Sequence, residues 1–281
     1  GKTTGTRSST GWRRSVNVSK PRPEAAFETR LHLEILPQPD DTTCGPTCLK
    51  AVYGYYGDPV SLDRVIREVP TLPGGGTLAV LLGCHALARG YRATIQTFDL
   101  QVFDPTWFGP DGPDMAERLR ARKAAKSDPK LHCATDAYLE FLDRGGRIEM
   151  RDLTASLIRG LLKRDIPILT GLSATYLYGT TRERDDGGEL IYDDVGGEPS
   201  GHFVVLCGYH VEDRLVRVAD PLMPNPISER PIYRVHLNRL ILSIMLGSLT
   251  FDANLLVIRP PVHRNPPKRR PRSHVIRPRR H

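Results

Sequence analysis

The sequence has no long apolar run. Nowhere does it approach the roughly 18 consecutive apolar residues that a membrane-spanning helix needs, so no membrane partner is expected. The N-terminus lacks the apolar core of a secretory signal; it is rich in Arg and Ser, a composition that leaves a transit peptide open. Cysteine is sparse and odd in number: Cys44, Cys48, Cys84, Cys133 and Cys207 are scattered along the chain. A secreted disulfide framework has dense, even cysteines in a short chain. The pattern therefore points to a reducing, cytoplasmic setting in which a thiol stays free to act. Acid is missing from both ends. Residues 1–22 carry six Lys/Arg and residues 259–281 carry nine, with no Asp or Glu in either stretch. The remaining 25 basic residues face all 32 acids, so the body is net −7 although the whole chain is +8. Basicity belongs to the tails, and it gives no ground for reading the body as a nucleic-acid-binding domain.

What is present is an ordinary globular composition, with 39% hydrophobic and 26% charged residues over 281, enough for a sizeable core. Residues 1–26 have little apolar periodicity and read as disordered. Residues 260–281 mix Pro with Arg and cannot form a core. Docking on an acidic partner or RNA is one role for this tail; a plain solvated tail is the simpler one. No internal repeat is visible. The span 27–259 reads as one domain, with insertions near 101–130 and 180–200.

Within it the periodicity predicts strands at 32–36, 91–98, 166–171, 203–209, 215–219 and 253–258, and helices at 45–56, 61–68, 77–89, 115–126, 135–142, from Asp152 or Thr154 to about 164, and 236–246. Residues 73–76 read as a turn, and the acidic, glycine-rich stretch 180–200 as a loop or hairpin. Helices early and adjacent antiparallel strands late define an α+β class.

The informative segment is Gln38-Pro-Asp-Asp-Thr-Thr-Cys44-Gly-Pro-Thr-Cys-Leu49. Cys44 stands at a helix start, where free N–H groups and the positive dipole end favour a thiolate. Gly45 would let the backbone approach a substrate, and Pro46 sits in the first turn, where its missing N–H costs nothing. Such a nucleophile needs a base. His202 opens the strand in Ser200-Gly-His-Phe-Val-Val-Leu-Cys-Gly-Tyr209, and alternation turns Cys207 away from it. Asp220 closes the next strand, Arg217-Val-Ala-Asp-Pro221. A hairpin would bring it back beside His202, where it can orient the imidazole.

These three blocks together resemble the bacteriocin-processing peptidases, papain-like cysteine enzymes that cut leader peptides after a double glycine. The resemblance covers the blocks and their spacing over roughly residues 31–258. It implies a papain-like fold, with the nucleophile-bearing helix packed on an antiparallel sheet that carries His and Asp. It also implies a role for Gln38, whose amide would donate to the oxyanion beside the Cys44 N–H. Two departures bear on the substrate more than on the catalytic residues. Thr47 stands where the family usually has a small residue, often Ala, and the inserts 101–130 and 180–200 are added. No transporter domain is present either, which suggests a stand-alone relative with its own partner.

Competing assignments are weaker. Cys48, one turn after Cys44, reads as core. Zinc would want more ligands at short spacings, such as Cys-x-x-Cys pairs, and no metal or organic cofactor is implied. His132 and Cys133 are adjacent and so rarely face each other. Gly74 to Gly76 lacks the Lys-Ser/Thr ending of a phosphate loop and reads as a turn on the cleft rim. The acidic stretch before His202 could overhang the cleft and favour a basic peptide, but a solvated loop is simpler. The reaction expected is hydrolysis of a peptide or isopeptide bond through a Cys44 thioester. The alternatives are acyl transfer to an amine with the same triad, or a non-catalytic peptide-binding module.

Overall fold

The computed structural model describes residues 29–261 apart from 73 and 188. The expectations for segments 1–26 and 262–281, and for Pro73, lie outside the described residues. The chain opens with a two-residue strand, β1 (Thr29–Arg30), and then runs through α1 (Cys44–Tyr55), α2 (Leu62–Glu68), α3 (Ala79–Ala88) and β2 (Arg92–Thr97). A 3₁₀ turn (Pro105–Phe108) leads to α4 (Met115–Ala125), α5 (Pro129–Asp143), β3 (Arg147–Glu149), α6 (Ala155–Leu162), β4 (Ile168–Ser173) and α7 (Ala174–Tyr178). Next come β5 (Glu183–Asp186), β6 (Glu189–Tyr192), β7 (Gly201–His210), β8 (Leu215–Ala219), β9 (Ile232–His236), α8 (Leu237–Leu246), a 3₁₀ turn (Gly247–Thr250) and β10 (Asn254–Arg259). The main sheet has the order β3-β2-β10-β4-β7-β8-β9, with β1 beside β7. Only β2 with β3 is parallel. This is the α+β class expected from the sequence, and α1, which carries Cys44, packs on β7, the strand that carries His202.

Local signals explain most elements. Ser61 caps α2 by accepting from the Arg64 N–H, and Thr154, not Asp152, caps α6 by accepting from the Leu157 N–H. The helix expected at 135–142 begins earlier, at Pro129. The Asp128 carboxylate takes the Lys130 and Leu131 N–H groups, and Pro129 occupies the first turn. Half of the stretch expected as a polar insertion is therefore helical, and α5 grows out of it. On the helical side, α3 packs on α1, α5, β2 and β10, and α8 packs on β4 and β9. Tyr53, Tyr138, Phe141, Leu49 and Leu82 fill the core between them.

The strand expected at 32–36 does not form. Leu31 and Leu33 are buried and His32 and Glu34 exposed, so the alternation is real. The segment enters beside β7, with Thr29 opposite Tyr209 and Arg30 opposite Gly208. That edge of β7 is then closed, because Ile168 of β4 pairs with Leu206. A strand needs a free ladder as well as a pattern. Strands β3 and β9 and helix α7 were not expected. Among the described residues no helix is long and apolar enough to cross a membrane.

Candidate active site

The site begins where a loop becomes a helix. The Asp40 carbonyl gathers the Gln38 side-chain amide at 2.9 Å, the Thr43 hydroxyl at 3.1 Å and the Thr43 N–H at 3.4 Å. Its carboxylate accepts from the Thr42 N–H and hydroxyl, both at 2.8 Å, and these bonds hold the acid below its ordinary range. The tightened turn delivers Cys44 as the first residue of α1, and no acidic side chain shares that first turn. The positive end of the helix is thus left for another anion. Thr47, in the following turn, is fully buried and returns its hydroxyl to the Thr43 carbonyl at 2.8 Å, so the hydroxyl is satisfied inside the helix.

Gly45 has a different purpose from the one expected. A Cβ there would lie 2.6 Å from Thr77 Cγ2 and 3.2 Å from the Phe203 ring. The missing side chain lets α1 press onto β7 and the start of α3, rather than letting a substrate in. Cys48 seals the same contact. It is wholly buried, donates to the Phe203 carbonyl at 3.2 Å, and burial pushes its thiol well above the ordinary value.

His202 and Asp220 come from adjacent antiparallel strands. Val205 pairs with Ala219, so the residue closing β8 turns back towards the start of β7. His202 Nε2 is 2.8 Å from Asp220 Oδ1, and the Cys44 thiol is close enough to the ring to help raise it. The carboxylate is completely buried and saturated. Oδ1 also accepts from the Leu222 N–H at 2.9 Å, and Oδ2 accepts from the Tyr178 hydroxyl at 2.8 Å and the Tyr233 hydroxyl at 2.6 Å. Burial alone would raise the Asp220 acid, but these donors outweigh it and hold the group below its ordinary value. Burial likewise pushes the His202 imidazole down. The bond to Asp220 and the negative charge of Asp220 and Cys44 win, and the group is raised from 6.5 to about 10. Both tyrosine hydroxyls are pushed up, by burial first and then by the neighbouring carboxylate.

Of the four residues singled out from the sequence, three are brought together: His202 bonds Asp220 and shares the cleft with Cys44. Gln38 lies next to them, since its N–H donates to the Pro221 carbonyl at 2.9 Å. Its side-chain NH₂ is turned to Asp40, and its Oε1 is buried without a partner. Tyr178 and Tyr233 escaped sequence reasoning. Tyr233 sits in the alternating Ile-Tyr-Arg-Val-His of β9, a period-two pattern that could have revealed the strand. Tyr178 sits in α7, between the Ser173 cap and the left-handed Gly179 stop.

The cleft over Cys44 and His202 has a volume of about 180 Å³. Gly75 and Gly76, both at positive φ, form part of its rim as expected for the 73–76 turn, together with Leu72 and Thr77. Across from them stand Gly201, Phe203, Thr250 and Asp252. None of the cleft-lining side chains comes from 180–200. That stretch folds into the β5–β6 hairpin, with Arg184 paired to Asp193. A second cavity, of about 240 Å³, contains none of the four residues. All five cysteines are free. Cys207 has Arg30 and Arg217 as its nearest charges, and His132 bonds the Lys126 carbonyl rather than Cys133. Among the described residues no group of three or more His, Cys, Asp or Glu is placed to hold a metal ion.

The chain is similar to a double-glycine motif protease from an AMS/PCAT transporter, solved in complex with its leader peptide, at 12% identity and TM-score 0.39 over 83% of this chain and 95% of that one. It is also similar to a putative C39-like peptidase from Bacillus anthracis, at 13% identity and TM-score 0.41 over 82% and 96%. No family model and no curated protein sequence matches the chain.

Proposed function

We infer that the chain is a cysteine peptidase-like amide hydrolase. One observation carries the reading: a helix-start thiol shares an open cleft with an imidazole that is hydrogen-bonded to a saturated, buried carboxylate. His202 holds its charge to about 10 and supplies the positive partner a thiolate needs. The Cys44 sulfur attacks the carbonyl carbon of a bound peptide or isopeptide, and the oxygen takes up the negative charge. The Cys44 N–H donates to that oxyanion, together with one N–H of Gln38 Nε2, whose other N–H stays on Asp40. The tetrahedral centre collapses, the C–N bond breaks, and His202 gives its proton to the leaving amine. Water then attacks the thioester while His202 accepts its proton, which releases the acid and restores the thiol–imidazole pair. Asp220 keeps Nε2–H pointed at itself, so that Nδ1 is the nitrogen facing the thiol.

The test is carboxamidomethylation of the native protein with iodoacetamide at mildly acidic pH, with the labelled cysteine identified by peptide mass. Cys44 is expected to react first among the five and to lose that preference in His202→Ala. A Cys44 that labels no faster than Cys133 would sink the hydrolase reading and leave a peptide-binding module. If the reading survives, adding an amine to turnover mixtures separates hydrolysis from acyl transfer.

A further inference from the structure

The cleft does not end at His202. Lys130, Thr250 and Asp252 close its far side. The same two stretches of chain also line the neighbouring cavity through Asp128, Leu131 and Phe251, where they meet Arg122 of α4 and Lys126, which caps its C-terminus. The two hollows thus share one partition, made by the start of α5 and residues 250–252. Lys130 stands over this partition, with its Nζ 5.4 Å from the centroid of the Phe251 ring.

The charge here runs against the rest of the domain. The body is net negative, yet residues 118–130 hold six basic side chains and a single acid, Asp128. That acid is already engaged at the α5 cap. Lys123, on the same helix, is paired with Asp136 at 2.5 Å. Arg122 instead donates to a neutral carbonyl, that of Gln101, at 2.6 Å. Among the described residues no carboxylate lies within ion-pairing distance of Arg122, Lys126 or Lys130. Asp252 is the nearest candidate to neutralise Lys130. Burial pushes its carboxyl up to about 8, although the Ala79 N–H donates to it at 2.9 Å. Burial thus works against the charged form of Asp252 and weakens it as a counter-ion for Lys130.

The backbone turns sharply at this partition: Phe251 ends the 3₁₀ turn in the left-handed region, at φ 64. Here the twist sends Thr250 and Asp252 to the cleft and the Phe251 ring to the neighbouring cavity.

We propose that the cavity lined by Arg122, Lys126 and Phe251, with Lys130 in the adjoining cleft, is a specificity subsite for an Asp or Glu side chain of the same peptide whose carbonyl is held at Cys44. This rests on the hydrolase reading above. Residues 101–130 then form a recognition element rather than a filler. An aromatic floor with cations around it suits a carboxylate on a short aliphatic stem, with the methylenes on the ring and the oxygens among the donors.

The test uses short peptides carrying an alkylating group, so that amide hydrolysis is not required. One set has an N-terminal chloroacetyl group and the other a C-terminal chloromethyl ketone, so that the chain leaves Cys44 in either direction. The cysteine sulfur forms the S–C bond and chloride leaves. Glu and Gln are exchanged at each position in turn, and the ratio of Cys44 labelling rates is read. One position is expected to favour Glu by about threefold or more at low salt, as a partly exposed charge pair would. High salt should shrink the ratio, and R122Q/K126Q should bring it close to one. K126Q/K130Q serves the same purpose if loss of the Arg122 bond to Gln101 disturbs the fold, and the salt dependence of the wild-type ratio needs no variant. No Glu preference at any position, with iodoacetamide still selecting Cys44, overturns the subsite and leaves the hydrolase reading standing. So does a Glu preference that persists unchanged in both variants. If iodoacetamide does not select Cys44, the hydrolase reading fails and takes the subsite with it.

Discussion

His202 and Asp220 sit on neighbouring strands with both carboxylate oxygens engaged, whereas Gln38 and Cys44 sit where a loop turns into a helix and keep atoms in reserve. Asp220 has four donors and no exposure. Gln38 has one side-chain bond, to a backbone carbonyl, and a buried Oε1 without a partner. The contrast follows from what each half must do. A base and its orienter work best when their geometry is set before the substrate arrives, so burial and saturation serve them. A nucleophile and an oxyanion donor must exchange partners for the substrate, so full satisfaction would obstruct them.

If the halves differ in this way, their variants should differ in kind. Cys44→Ala and His202→Ala remove the chemistry and should lower turnover of any peptide found to be cut by about a thousandfold or more. Next is Asp220→Ala. It leaves two buried tyrosine hydroxyls and a buried imidazole without their acceptor, so it should lower unfolding free energy by about 3 kcal/mol in denaturant titrations. An unchanged midpoint would show that the buried half is not structural. Gln38→Ala should do the reverse, cutting kcat by about a hundredfold while the denaturant midpoint stays in place. Tyr233→Phe removes one of the four donors. A loss of about 1.5 kcal/mol is expected in the same titration, and a loss as large as that of Asp220→Ala would mean the hydroxyl, not the carboxylate, organises the cage.

The smallest effect sharpens the comparison most. The His202 imidazole is raised from 6.5 to about 10 on folding. Its contribution to stability is therefore fully present below 6.5 and is lost as pH rises through about 10. Asp220 is lowered from 3.8, so its contribution is present above 3.8 and is lost as pH falls through its folded value. The thermal midpoint should be highest between these limits and decline on both sides. In Asp220→Asn the alkaline decline should be reduced. A wild-type profile flat from pH 6.5 to 10 would contradict the charged pair.

Much of the site was legible because its signals are local. Cys44 before a Gly-Pro helix start, His202 at the head of an apolar strand and Asp220 before Pro221 each lie in a segment whose form is set by its own residues. The fold class was legible from the same periodicities. What could not be read depends on segments far apart. Tyr178 and Tyr233 matter only because α7 and β9 bring their hydroxyls to one carboxylate. Residues 32–36 have a strand pattern and no strand, because β4 already occupies the edge they would need. Gly45 looks like room for a substrate until Thr77 and Phe203 are placed against it.

By itself, then, the sequence determined most of the helices and strands, the three residues Cys44, His202 and Asp220 that the fold brings together, and the placing of the positive charge outside the domain's body. The tertiary structure alone decided which polar groups saturate Asp220, which β-edge was free, and that the basic stretch 118–130 stands beside the cleft. The physical reason is that periodicity and capping are short-range properties of the chain. Hydrogen-bond saturation, edge pairing and the shape of a cavity arise only between segments that packing brings together.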